Sequence, residues 1–317
     1  MPTDPSRFVR EFAFLCAKSI LTSHGLVEGS QMESIQSKQV EVLGSTLHYL
    51  EVGQGDPILF IHGLPASSYL WRQVLPKLAS KGRCLAIDLI GCGASGKPDI
   101  DYSVFDHIRY LEAFIEALGL KRLTLVMHAW GSVIGLAYAM KHSENVKNIV
   151  VMEGHIRPTT EWSMVSLPVQ EIALNLNAPD GGYDAVVNRN ALVENVLPKG
   201  VLRALTAEEM ENYRKPFPDP SSRRPLWQFV QEIPLGDQST PVLDLIKKYS
   251  DWLCQTSLPK LIFYAVPGFN TSISTLQWAK EHMPNLILVD LGDDLHYFPE
   301  TQPDKIAAEL GQYLDRE

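Results

Sequence analysis

Two kinds of pattern alternate along the chain. Residues 39–53 (QVEVLGSTLHYLEVG) place apolar side chains at every second position on both sides of Gly44, which predicts a hairpin with one buried face. Six later runs are apolar at nearly every position: PILFIHG (57–63), CLAIDLIG (84–91), LTLVMHAWG (123–131), NIVVMEG (148–154), KLIFYAVPG (260–268) and LILVDLG (286–292). Each closes on a glycine. Such runs predict parallel strands buried on both faces. Helical spacing fills the gaps, at 68–81, 105–118, 131–142, 276–282 and 303–314. Strands alternating with helices predict an α/β fold with a mostly parallel central sheet and right-handed crossovers.

One interval interrupts this order. Residues 155–259 hold no strand pattern, are rich in Pro and Trp, and predict a helical cap at about 157–256 inserted into the sheet domain. No internal repeat or low-complexity tract occurs. At the start, residues 1–37 form an N-terminal extension, and the domain proper runs over 38–317. Within the extension, RFVREFAFLCAKSILTSHG (7–25) has an apolar stretch broken by Lys18 and lacks a clean cleavage site. It predicts an amphipathic helix lying on the protein body or on a membrane surface rather than a signal peptide. No run approaches the ~18 apolar residues of a spanning helix.

Composition narrows the classes of function. With 28 Lys and Arg against 37 Asp and Glu, the net charge of −9 argues against nucleic acid or an anionic membrane as partner. An apolar content of 45% supports a large core. Cys16, Cys84, Cys92 and Cys254 form no CxxC pair and no ligand-like spacing, so the expectation is a cytoplasmic protein with free thiols and no metal or organic cofactor. The oligomeric state is not encoded in any pattern found.

Chemistry in an open parallel sheet gathers at the carboxyl ends of its strands. Those ends carry His62-Gly63-Leu64-Pro65, Asp88, His128-Ala129-Trp130-Gly131, Glu153 and, after the final strand, His296. The segment HAWGS (128–132) has the form of a strained strand-to-helix elbow that presents a nucleophile, with the next amide as half of an oxyanion hole. An alanine methyl stands in the nucleophile's place. Ser132 would point into the helix–sheet interface and is a poor substitute. Asp88 reads as structural, and His62 and His128 as hydrogen-bonding groups around the elbow. Trp162, Phe217, Trp227 and Phe229 read as packing residues of the cap, some of which line a pocket.

HGLPASSYLWR (62–72), DLIGCGASGKP (88–98), HAWGS (128–132), MEGHIRP (152–158), VENVLPKGVLRALTAEEMENYRKPF (193–217), RRPLWQFVQEIP (223–234) and LHYFPE (295–300) together resemble the haloalkane dehalogenases. The resemblance runs from about residue 38 to the end, and epoxide hydrolases and coelenterazine luciferases are relatives. It implies an α/β-hydrolase fold. It also implies that the nucleophilic aspartate's position falls on Ala129, the general base on His296 and the orienting acid on Glu153. One halide-holding donor falls on Trp130 and the second, usually an asparagine, on Leu64. Two groups that define dehalogenation are therefore absent: without a carboxylate no alkyl-enzyme ester forms, and without the second donor the departing halide loses a charge-assisted bond.

What the residues retain is a His–Glu pair above an apolar cavity, with backbone donors near Leu64 and Trp130. Such a pair is a competent base near neutral pH. The preferred reading is an enzyme of an apolar small molecule, adding water or an internal hydroxyl to an epoxide-like electrophile without a covalent intermediate. The alternatives are a dehalogenase inactivated at position 129, a non-catalytic binder of an apolar molecule, and an oxygen-using luciferase-like enzyme.

Overall fold

The computed structural model describes residues 34–179, 181–233 and 239–316. The helix expected in the N-terminal extension falls almost wholly outside these residues. Strands β1 (Gln36–Val42) and β2 (Ser45–Val52) form the hairpin. It turns on Leu43 and Gly44 at φ 51° and 73°, the pair of left-handed residues that a two-residue turn needs to match the twist of its strands.

The remaining strands are β3 (Pro57–Ile61), β4 (Arg83–Ile87), β5 (Leu123–His128), β6 (Val146–Met152), β7 (Lys260–Pro267) and β8 (Leu286–Asp294). They join the hairpin in one eight-stranded sheet of order β1-β2-β4-β3-β5-β6-β7-β8. Only β1 and β2, and β2 and β4, run antiparallel. Every residue of β3 and β5 is buried, as their unbroken apolar runs require. Strand β8 differs: it lies at the sheet edge and most of its residues are half-buried or exposed, so its apolar run does not mark burial on both faces. From β3 the chain passes to β4 on one side and later to β5 on the other. The crevice beyond the carboxyl ends of β3 and β5 is thus the switch point at which ligands enter such sheets.

Helices α1 (Val104–Ala117) and α2 (Trp130–Lys141) follow β4 and β5. A reciprocal capping box of Ser103 and Asp106 starts α1. Residues Trp130 to Ala139 of α2 are all buried, which fits a helix apolar on every face. Gly131 lets it approach the sheet, because a Cβ there would stand 2.4 Å from the Ile61 carbonyl oxygen. The helix expected at 68–81 is instead two single 3₁₀ turns, Ser68–Trp71 and Leu75–Leu78. Pro76 removes a donor from any α ladder there, and the Asp88 carboxylate takes the amide of Ser68.

Between β6 and β7 the described residues form helices and turns with no strand: α3 (Leu167–Leu176), α4 (Ala207–Arg214), α5 (Arg224–Gln231) and α6 (Pro241–Leu253), with two π turns between α3 and α4. Helices α7 (Ile273–His282) and α8 (Pro303–Leu314) complete the sheet domain. Among the described residues no helix is long and apolar enough to cross a membrane. Cys84, Cys92 and Cys254 are free thiols.

The turn from β5 into α2 is the strained point of the fold. Ala129 sits at φ 48° and ψ −121°, a region that L residues avoid. It is held there by its amide bond to the Met152 carbonyl (3.1 Å) and by the Ser132 hydroxyl on its own carbonyl (2.6 Å). Ala129→Gly is therefore expected to raise the unfolding free energy by about 1 kcal/mol in urea titration. Ala137→Gly in the interior of α2 should lower it by about as much. A loss at both positions would mean that the elbow stores no strain.

Candidate active site

Three strand ends converge beyond the sheet. The elbow after β5 brings Ala129, the end of β6 brings Glu153, and the loop after β8 brings His296. The His296 Nδ1–H donates to Glu153 Oε2 across 3.0 Å, and both residues are buried. The same oxygen accepts the backbone amides of Phe269 and Asn270, each at 2.7 Å. Asn270 also donates its side-chain amide to the Glu153 carbonyl at 3.2 Å. Three donors on one carboxylate oxygen leave the side chain a single orientation. With Nδ1 committed to the glutamate, Nε2 of the neutral ring carries the lone pair, which is the arrangement of a general base.

Ala129, His296, Leu64 and Trp130 line one cavity of about 120 Å³, on the order of engineered cavities that take up benzene. The rest of the wall is mostly aliphatic and comes from the insertion, including Ile172, Leu176 and Leu192. Of the insertion's aromatics, Phe229 alone lines this cavity, with its ring 5.0 Å from that of Trp130. Phe217 is buried beneath Lys97, Trp227 packs edge-on against Tyr183, and Trp162 is exposed. The Trp130 amide belongs to the first turn of α2, where a helix leaves its N–H groups without internal acceptors.

The neighbouring polar groups are occupied structurally. His62 accepts the Leu89 amide on Nε2 (3.0 Å) and donates from Nδ1 to the Gly63 carbonyl (2.7 Å), and burial pulls its pKa below the ordinary imidazole value. Asp88 accepts from His48 and from the amides of Ser68 and Ala94. Ser132 spends its hydroxyl on the elbow and accepts the His155 amide, so it offers no nucleophile. His128 donates Nε2–H to the His296 carbonyl (2.9 Å), while burial and the neighbouring His296 hold its pKa well below the usual range.

Two features escaped the sequence patterns. Glu300, four residues after His296, is buried and takes two bonds from Arg72, at 2.6 and 2.9 Å. Arg203 (2.9 Å) and the Tyr213 hydroxyl, both from the insertion, bond the same carboxylate. His155, two residues beyond Glu153, also lines the cavity. The motif MEGHIRP contains it, but nothing in the spacing distinguishes a pocket imidazole from a packed one.

Comparison with known proteins agrees with this fold. The family model for the α/β hydrolase fold matches residues 56–238. A haloalkane dehalogenase of Mesorhizobium japonicum is 38% identical over 279 residues, covering 87% of this chain and 90% of that protein. One of Bradyrhizobium diazoefficiens is 36% identical over 293 residues, covering 88% and 94%. The crystal structure of the haloalkane dehalogenase DbeA from Bradyrhizobium elkani superposes with a TM-score of 0.86 at 34% identity, covering 89% of this chain and 98% of that one. These relatives favour the dehalogenase side of the expected function over the epoxide side. Eight strands in this order, a helical insertion over their carboxyl ends and relatives matched over most of their length lead to one conclusion: the chain belongs to the haloalkane dehalogenase family of α/β-hydrolase-fold enzymes.

Proposed function

We propose that this enzyme is a dehalogenase-type hydrolase in which the covalent route to carbon–halogen cleavage is closed at Ala129, leaving the His296–Glu153 pair as a general base. The observation that carries the reading is the methyl group of Ala129 at a fully formed elbow, on the same cavity as an oriented imidazole. A family member with a carboxylate there would displace halide, form an alkyl ester and hydrolyse it with water activated by the histidine. Here the first half has no attacking oxygen. What remains needs only Nε2 of His296 to take a proton from water or a substrate hydroxyl, as that oxygen bonds to a carbon more electrophilic than that of an unactivated alkyl halide and the leaving atom departs with its electron pair. Glu153 supports the imidazolium that forms. The apolar wall selects a small apolar substrate. Opening of an epoxide is the second reading: the same attack breaks the C–O bond and the alkoxide kept on the product takes up the proton held by the imidazolium, while Leu64, which offers a departing halide no side-chain donor, weighs against halide as the leaving group.

Halide chemistry tests the proposal because the missing part can be supplied. The unmodified protein should release no bromide from 1-bromobutane above the uncatalysed rate. Ala129→Asp should release it measurably, and adding Leu64→Asn should raise the rate about tenfold by restoring a donor to the leaving ion. Bromide release by the unmodified protein, or none from Ala129→Asp in folded form, would overturn the reading.

The base is tested separately. Ala129→Asp combined with His296→Ala should form the butyl ester and stop there, giving a stable mass increase of one alkyl group on intact-protein mass spectrometry. Continued turnover without His296 would remove it from the mechanism.

A further inference from the structure

The cavity holds a second imidazole that the mechanism above does not use. His155 lines it alongside His296, and its ring packs against that of Trp130 at 5.6 Å. The backbone around it is fixed on both sides. Its amide donates to Ser132 Oγ at 2.9 Å, and its carbonyl accepts the Tyr249 hydroxyl. Gly154, just before it, seats the segment against α2, because a Cβ there would lie 2.8 Å from Ser132 Oγ and 2.3 Å from a Val151 methyl. The ring is thus delivered to the pocket by a rigid segment, yet among the described residues no hydrogen bond reaches either of its nitrogens.

Burial, with the nearby His296, pulls the His155 pKa down to about 4, so at neutral pH the ring is uncharged and presents one N–H and one lone pair. An uncharged imidazole cannot deliver a proton readily, but it polarises an oxygen by hydrogen bonding without carrying a charge into an apolar space. The base role is assigned above to His296, and the position where the family resemblance places a second donor is Leu64, an apolar side chain on the same cavity. A pocket with one oriented base and one free neutral donor is complementary to a substrate with a proton to give up and an oxygen on which charge grows.

We propose that His155 is the second polar group of the site, its N–H binding the accepting oxygen of an apolar substrate that carries a carbonyl or cyclic-ether oxygen. This deepens the proposed function by naming a substrate class, and it rests on that reading only in assigning proton removal to His296. Binding of the oxygen requires no turnover and no base.

The test is equilibrium binding of matched probes to the full chain labelled with ¹⁵N-histidine. Cyclohexanone and cyclohexene oxide represent the two oxygen classes, and methylcyclohexane supplies the same shape without oxygen. At least one oxygen probe should bind about tenfold more tightly than methylcyclohexane, as one hydrogen bond in an apolar pocket implies, and should shift the His155 ring nitrogen resonances where methylcyclohexane does not. Which of the two binds more tightly identifies the oxygen class. His155→Phe should bring the three affinities within about twofold of one another, and His155→Gln, which restores an N–H, should recover part of the preference. Should His155→Phe fail to fold, the ring nitrogen shifts of the unmodified protein decide alone. Equal affinities, absence of binding by every probe, unmoved His155 resonances, or a preference that survives His155→Phe would each overturn the inference. Failure of the halide experiments with the probe preference intact would strike the base reading and spare His155.

Discussion

One carboxylate oxygen organises the candidate site. Glu153 Oε2 receives His296 Nδ1–H and the amides of Phe269 and Asn270, so it joins the end of β6 to the loops that follow β7 and β8. Remove that acceptor and three donors, one buried and two half-buried, lose their partner at once, the buried one at a cost of about 1–3 kcal/mol. The other Glu153 oxygen has no partner among the described residues and faces Gly268, where a Cβ would approach it to 2.7 Å. The loop therefore comes close enough for its amides to reach the carboxylate because residue 268 lacks a side chain. Orientation of the imidazole is a consequence of this convergence, not of any property of His296 alone.

A second set of bonds holds the roof above this point. Glu300 binds Arg72 of the sheet domain together with Arg203 and Tyr213 of the insertion, all on a buried carboxylate. Tyr297, next to His296, donates its amide to the Gly200 carbonyl and its hydroxyl to the Leu64 carbonyl. The histidine loop is thus clamped between the insertion and the loop after β3. A buried network of this kind contributes more to fixing one arrangement than to net stability, because desolvation of the charges offsets much of their attraction. Here it ties the insertion, which carries the apolar wall, to the loop that carries His296.

Much of this architecture was legible in the chain. Unbroken apolar runs ending at glycine mark β3 to β7, because burial on both faces and a turn at the carboxyl end each leave a trace in residue type. Ala129, Glu153 and His296 could be placed together for the same reason: all three stand at strand ends. The failures have physical causes. The run at 286–292 is as apolar as the others, but whether a strand lies at an edge depends on sheet order, which no local pattern encodes. The periodicity of 68–81 reflects Leu70, Trp71, Val74, Leu75 and Leu78 packing into the core, and it survives in two short turns although Pro76 forbids the helix. His155 and Glu300 were invisible because their importance lies in which distant residues surround them.

The account stands on His296 being a base oriented by Glu153, and the position of one proton measures that directly. In ¹⁵N-histidine-labelled protein in mildly alkaline solution, the neutral His296 ring should show a protonated Nδ1 and an unprotonated Nε2, with Glu153→Gln shifting the Nδ1–H resonance markedly. A ring protonated on Nε2, or a His296 signal indifferent to Glu153→Gln, would contradict the account.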